Sequence, residues 1–137
     1  MRRFLVSIMA ASLMLTLPGA ADAAAKRFTV TLKAKPVSYV IVETCEGRLT
    51  NYTLTLTGTV SPARAGQRVR IYKRLDAESW EIEGEARVRS SGRFTFIDRP
   101  TTLVHRRYKA RMPTVGSYRF AYSNTIRVTT HKAPCPD

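Results

Sequence analysis

Between Leu54 and Val128 the chain is written in short alternating runs separated by turn residues, and this pattern constrains the fold most. The runs Leu54-Thr-Leu-Thr-Gly-Thr-Val60, Gly66-Gln-Arg-Val-Arg-Ile71, Gly92-Arg-Phe-Thr-Phe96, Tyr108-Lys-Ala110 and Ser123-Asn-Thr-Ile-Arg-Val128 are arranged around a lone Trp80. Successive side chains of a strand point to opposite faces, so apolar–polar alternation means one dry face and one wet face. Interruptions by Gly, Pro or Ser every roughly eight to twelve residues are the spacing of an antiparallel β-sandwich. About seven or eight strands are expected, with negligible helix, because no stretch after the first residues repeats at the helical 3.6-residue period.

The phase of each run assigns its faces. Tyr52, Leu54, Leu56, Gly58 and Val60 share one side and Thr53, Thr55, Thr57 and Thr59 the other, where β-branched threonine suits a solvated strand. In Gln67–Arg74, Val69 and Ile71 point inward and Arg68, Arg70, Tyr72 and Arg74 outward. From Trp80 the alternation predicts Trp80, Ile82, Gly84, Ala86 and Val88 on one face, with Glu81, Glu83, Glu85, Arg87 and Arg89 on the other. Phe94 and Phe96 are expected inside, as are Tyr108, Ala110 and Met112, and one last strand is expected from about Tyr122 to Thr130.

The N-terminus has the order of a secretion signal. Arg2 and Arg3 form a basic segment, Phe4–Leu17 an apolar one, and Ala21-Asp22-Ala23 a small-x-small cleavage pattern. The apolar run has about fourteen residues, short of the roughly twenty a helix needs to span a bilayer. Residues 1–23 are therefore expected to be removed and residues 24–137 to form a single secreted, extracellular domain without stable membrane insertion. Losing Arg2, Arg3 and Asp22 leaves 21 of the 23 Lys and Arg against nine of the 10 Asp and Glu, a net charge near +12. Such a chain is attracted to polyanions: nucleic acid, anionic lipid or acidic wall polymers.

Few residues qualify for catalysis or metal binding. His105 and His131 are the only histidines; His105 has no ligand at metal spacing, and His131 lies four residues before Cys135 with no second pair to complete a site. No Gly-x-Ser-x-Gly elbow is present. Asp76, Glu78, Glu81, Glu83 and Glu85 lack the spacing of a calcium loop, and strand alternation spreads three of them along a wet face. No enzyme activity, metal or cofactor is expected.

From Leu54 to about Thr130 the order of motifs resembles bacterial immunoglobulin-like, fibronectin-type-III-like modules of secreted Gram-positive proteins. Gly58-Thr-Val-Ser-Pro62, Ala65-Gly-Gln-Arg-Val-Arg-Ile71, Trp80, Gly92-Arg-Phe-Thr-Phe96, Tyr108-Lys-Ala110 and Ser123–Val128 carry the resemblance. It covers roughly two-thirds of the chain after the signal and departs at Val37–Asn51 and after Val128. It implies an immunoglobulin-like sandwich with a binding, spacing or adhesion role, Trp80 and Tyr108 in the core, and Tyr108 near the corner position such sandwiches favour.

Cys45 and Cys135 are the only cysteines, and an exported chain meets oxidising conditions, so a disulfide is the expected state. An intermolecular bond or two free thiols are the alternatives. The resemblance supports the intrachain bond, since the late part of the first strand in such sandwiches can run parallel to the last strand.

The resemblance also implies that Gln67–Arg74, His105–Met112 and Tyr122–Thr130 are sheet neighbours. Their outward positions would then gather Arg68, Arg70, Arg74, Arg107, Lys109, Arg111 and Arg127 on one face, with Tyr72 among them and many of the acids apart on Asp76–Glu85. Such crowding repels itself unless an anion or counterions relieve it. The face is the candidate anion-binding surface, the alternative being a solvated face whose arginine stems cover apolar surface. The expected function is a secreted, non-enzymatic binding or structural module at the cell exterior, or an adhesin or effector holding an anionic polymer or cell-surface component. Non-reducing mass spectrometry should find Cys45 joined to Cys135 within one chain; a covalent dimer or two free thiols as the main species would refute that pairing.

Overall fold

A computed structural model describes residues 24–35, 38–41, 53–100 and 104–132. The signal segment, Cys45 and Cys135 lie outside the described residues. Among the described residues there are nine strands: β1 Thr29–Lys35, β2 Ser38–Ile41, β3 Leu54–Ser61, β4 Arg68–Leu75, β5 Glu81–Arg87, β6 Arg93–Asp98, β7 Arg106–Met112, β8 Ala121–Tyr122 and β9 Ile126–Lys132. No helix occurs among the described residues, so none there is long and apolar enough to cross a membrane.

The strands form two sheets packed face to face. The smaller has the order β1-β3-β6, and the larger β2-β9-β7-β4-β5 with β8 paired to β7. All pairings are antiparallel except β2 with β9, which run parallel from Ser38 opposite Thr129 to Ile41 opposite Lys132. The chain thus leaves the small sheet after β1 and joins the edge of the large one.

The interior follows the alternation. Leu54, Leu56 and Val60 of β3, Val69 and Ile71 of β4, Phe94 of β6, Tyr108, Ala110 and Met112 of β7 and Val128 of β9 are buried in one cluster. Two glycines on inward positions make room for rings: a side chain at Gly58 would collide with the Phe94 ring, and one at Gly84 with the Phe96 ring. Packing the buried Phe94 and the partly buried Phe96 therefore depends on the missing Cβ opposite each. Gly92 turns β5 into β6 with φ of 78°, a left-handed conformation that favours glycine.

Among the described residues two charged side chains are buried, Asp98 and Arg106. Both obey the phase of their strands, Asp98 with Phe94 and Phe96, Arg106 with Tyr108 and Ala110. A buried charge needs hydrogen-bond partners. The Tyr108 hydroxyl donates to Asp98 Oδ2 across the sandwich, and Arg106 Nε donates to the Val104 carbonyl at 3.3 Å. Tyr108 thus belongs to the core, as expected, and its hydroxyl ties β7 of the large sheet to β6 of the small one.

The last strand is not continuous. At Ser123 the chain exchanges two bonds with Ala110: Ser123 N donates to the Ala110 carbonyl, and Ala110 N donates to Ser123 Oγ, each at 2.8 Å. The side chain takes one ladder position and the strand breaks into β8 and β9. The next residue, Asn124, reaches the other sheet. Its Oδ1 accepts from Leu32 N and its Nδ2 donates to the Leu32 carbonyl, both at 3.0 Å.

Tyr108→Phe keeps the ring but strips Asp98 of its donor. A buried acceptor left unsatisfied costs about 1–3 kcal/mol. Urea unfolding should show a loss of that size, and a change below about 0.5 kcal/mol would mean that the bond does not join the sheets.

Candidate functional site

The basic face is built by register. Val69 and Ile71 are buried, so the pleat turns Arg68, Arg70, Tyr72 and Arg74 of β4 outward; burial of Tyr108, Ala110 and Met112 does the same for Arg107, Lys109 and Arg111 of β7. Pairing then sets Arg70 opposite Arg111, Tyr72 opposite Lys109, and Arg74 opposite Arg107. Arg107 is in turn opposite Arg127 of β9. All seven cations expected on one face are brought together, with neighbouring strands about 4.8 Å apart. An eighth joins them, because Arg87 of β5 lies opposite Arg68.

Glu85 does not stand apart with the other acids, as expected, but among the arginines. It accepts from Arg68 Nη1 at 3.2 Å and lies 3.5 Å from Arg70 Nε. These half-exposed pairs contribute only about 0.2–1 kcal/mol each. More of the crowding is relieved by rings. The Arg74 guanidinium lies 5.1 Å from the Trp80 ring centroid, and Lys109 Nζ lies 4.3 Å from Trp80 and 4.7 Å from Tyr122. Arg111 lies 5.8 Å from Tyr122 and 4.7 Å from Phe120. Arg74, Trp80, Lys109, Tyr122, Arg111 and Phe120 thus form an alternating ladder of cations and π faces, each contact worth about 0.5–1 kcal/mol where exposed. The self-repulsion expected to require an anion is met in part inside the protein.

This ladder corrects the expectation that Trp80 belongs to the core. Trp80 is half-buried on the outer face and is not part of the buried cluster, and Ile82, expected inward, is 57% exposed. The cause is a bulge. Ile71 pairs with Gly84, but Tyr72 pairs with Ile82, so Glu83 is an extra residue on β5. One inserted residue reverses the phase of everything before it. Ala86 and Val88 stay inward while Ile82 turns to the face that carries Tyr72. Glu83, expected outward, forms an ion pair with Lys73 of the inward series.

Phe120 and Tyr122 are the functional candidates that sequence reasoning missed. They are 40% and 47% exposed and flank Ala121, which packs on the core. The alternation Phe120-Ala-Tyr122 marks them as outward, a signal hidden by the shortness of β8.

At one end of the face, Arg107 and Arg127 line an open cleft of about 230 Å³ with Asp76, Ala77 and His105. Among the described residues neither arginine forms an ion pair with a carboxylate. The Nε atoms of Arg74 and Arg111 are buried and have no hydrogen-bond partner among those residues. No group of three or more His, Cys, Asp or Glu that could hold a metal ion occurs there either. The side chain of His131 and both cysteines lie outside the described residues.

No protein-family model matches the chain, and no curated protein matches it. Trp80→Ala separates a face residue from a core residue. It should cost about 1–2 kcal/mol in denaturant unfolding, the value of two cation–π contacts with partial burial. A loss of about 3–5 kcal/mol, typical of a buried tryptophan, would return Trp80 to the core.

Proposed function

We propose that the chain is a secreted, non-enzymatic, immunoglobulin-like module that holds an anionic polymer at the cell exterior on the basic face of its larger sheet. The observation that carries this reading is the cross-strand stacking of Arg70 with Arg111 and of Arg74 with Arg107 and Arg127. Only one carboxylate among the described residues is ion-paired to this face, Glu85, and it is shared between Arg68 and Arg70. Strands fix the spacing of these cations and the rings hold several stems in place. Less side-chain freedom is therefore lost when a ligand arrives. A polymer gains further, because each neutralised charge releases counterions and adds to the ion dependence of binding. The secretion pattern at residues 1–23 supports the exterior location, and the order of motifs from Leu54 to Thr130 supports the immunoglobulin-like assignment.

The triple change Arg70→Glu, Arg107→Glu and Arg111→Glu tests the reading. The variant should keep its circular dichroism spectrum, since all three side chains point away from the core. It should elute from a heparin or phosphate-polymer column at lower salt, and its log–log salt slope should fall by about two to three. Unchanged retention with the fold intact would reduce the face to solvated surface.

A further inference from the structure

Rings set this face apart from the outer face of the small sheet. The outer face of the small sheet uses threonine instead: Thr31 pairs with Thr59 across β1 and β3, and Thr57 with Thr95 across β3 and β6. The basic face exposes Phe120 and Tyr122 to water at 40% and 47%. Their centroids are 6.1 Å apart with planes at 82°, and Arg111 lies 4.7 Å from the Phe120 ring. Cations and flat apolar surfaces are thus interleaved within one small area.

Resting on the reading of that face as a polyanion surface, we propose that the polymer is a single-stranded nucleic acid. Its phosphates would sit on the Arg74–Arg107–Arg127 row and its bases would stack on Phe120, Tyr122 and the Arg111 guanidinium. Basic grooves with aromatic platforms are the usual means of holding single strands, because every base has a π face. Guanidinium planes stack on bases as rings do.

Hydrogen-bond stoichiometry favours this class over an acidic polysaccharide. Phosphodiester oxygens only accept, and Arg and Lys only donate. A polysaccharide also presents many hydroxyl donors, which need acceptors in the site. Of the carboxylates at this face, Glu85 is already engaged by Arg68 and Arg70, and Asp76 lies at one end, in the cleft with Arg107 and Arg127. A duplex would offer the same phosphates but keep its base faces stacked inside, leaving Phe120 and Tyr122 without a partner. Arg107 and Arg111 are four residues apart on one strand, about 13–14 Å, so phosphate and base contacts have separate places along β7.

Fluorescence anisotropy of the purified chain decides the matter. The probes are an oligothymidylate of about twelve nucleotides, within the usual range of single-strand sites, an abasic phosphodiester of equal length and charge, the corresponding duplex, and heparin. The oligothymidylate should bind about tenfold or more tighter than the abasic chain, and tighter than the duplex or heparin at matched charge. Phe120→Ala with Tyr122→Ala should lower it to the abasic level while abasic binding stays within about twofold, and Tyr122→Phe, which keeps the ring, should retain the preference.

Equal binding of base-bearing and abasic chains by the unaltered protein would overturn the proposal and leave the electrostatic face standing. That comparison needs no variant to fold. A duplex bound as tightly as the single strand, or heparin bound more tightly, would also overturn it. Binding of no polyanion at all would remove the reading beneath it as well.

Discussion

The hydroxyl of Tyr108, buried against the Asp98 carboxylate, is the bond on which the outer surface depends. It joins the middle of the large sheet to an edge strand of the small one and, with the buried ring that carries it, holds β7 turned inward at Tyr108. Once Tyr108 points in, Ala110 and Met112 follow into the core, and Arg107, Lys109 and Arg111 have no direction left but outward. Register then carries that orientation to β4 and β9. A slip of one residue in β7 would bury three cations and expose the tyrosine. The basic surface and the core are thus two faces of one decision.

Much of this was legible along the chain because the side-chain period of a strand is two. Leu54, Leu56 and Val60, Val69 and Ile71, and Tyr108, Ala110 and Met112 are all inward where alternation puts them. The seven cations share a face for the same reason. Arg106 and Asp98 also obey the alternation, although neither is expected inside, because hydropathy argues the opposite for both. What was not legible lies where one residue breaks the period. Glu83 looks like its neighbours Glu81 and Glu85, and nothing in its chemistry announces that it is extra. Its insertion moves Trp80 and Ile82 from the expected interior to the surface. Ser123 hides in the same way: a serine inside an alternating run does not show that its hydroxyl will take a backbone position and divide the strand.

The bulge also determines what kind of surface the basic face becomes. Without it, β4 and β7 would present cations and Tyr72 alone. With it, Trp80 comes within reach of both Arg74 and Lys109, and β8 supplies Tyr122 and Phe120 from the other side. Lys109 is held from both flanks and Arg111 from the β8 side, while Arg107 and Arg127 remain exposed. Charge is therefore graded across the sheet, ring-bound at one end and open to ions at the other.

Asn124 has a consequence at the opposite edge of the sandwich. Strand β1 borders the small sheet, and an unpaired border offers its peptide groups to any extended chain that drifts past, which is how sheets grow from one molecule into the next. At Leu32 that invitation is already taken. One amide side chain presents an acceptor to the Leu32 N–H and a donor to its carbonyl, the same pair of bonds an incoming strand would make. A single planar group acts as a one-residue strand that cannot be extended. At this one residue the border is closed by an asparagine rather than by further backbone.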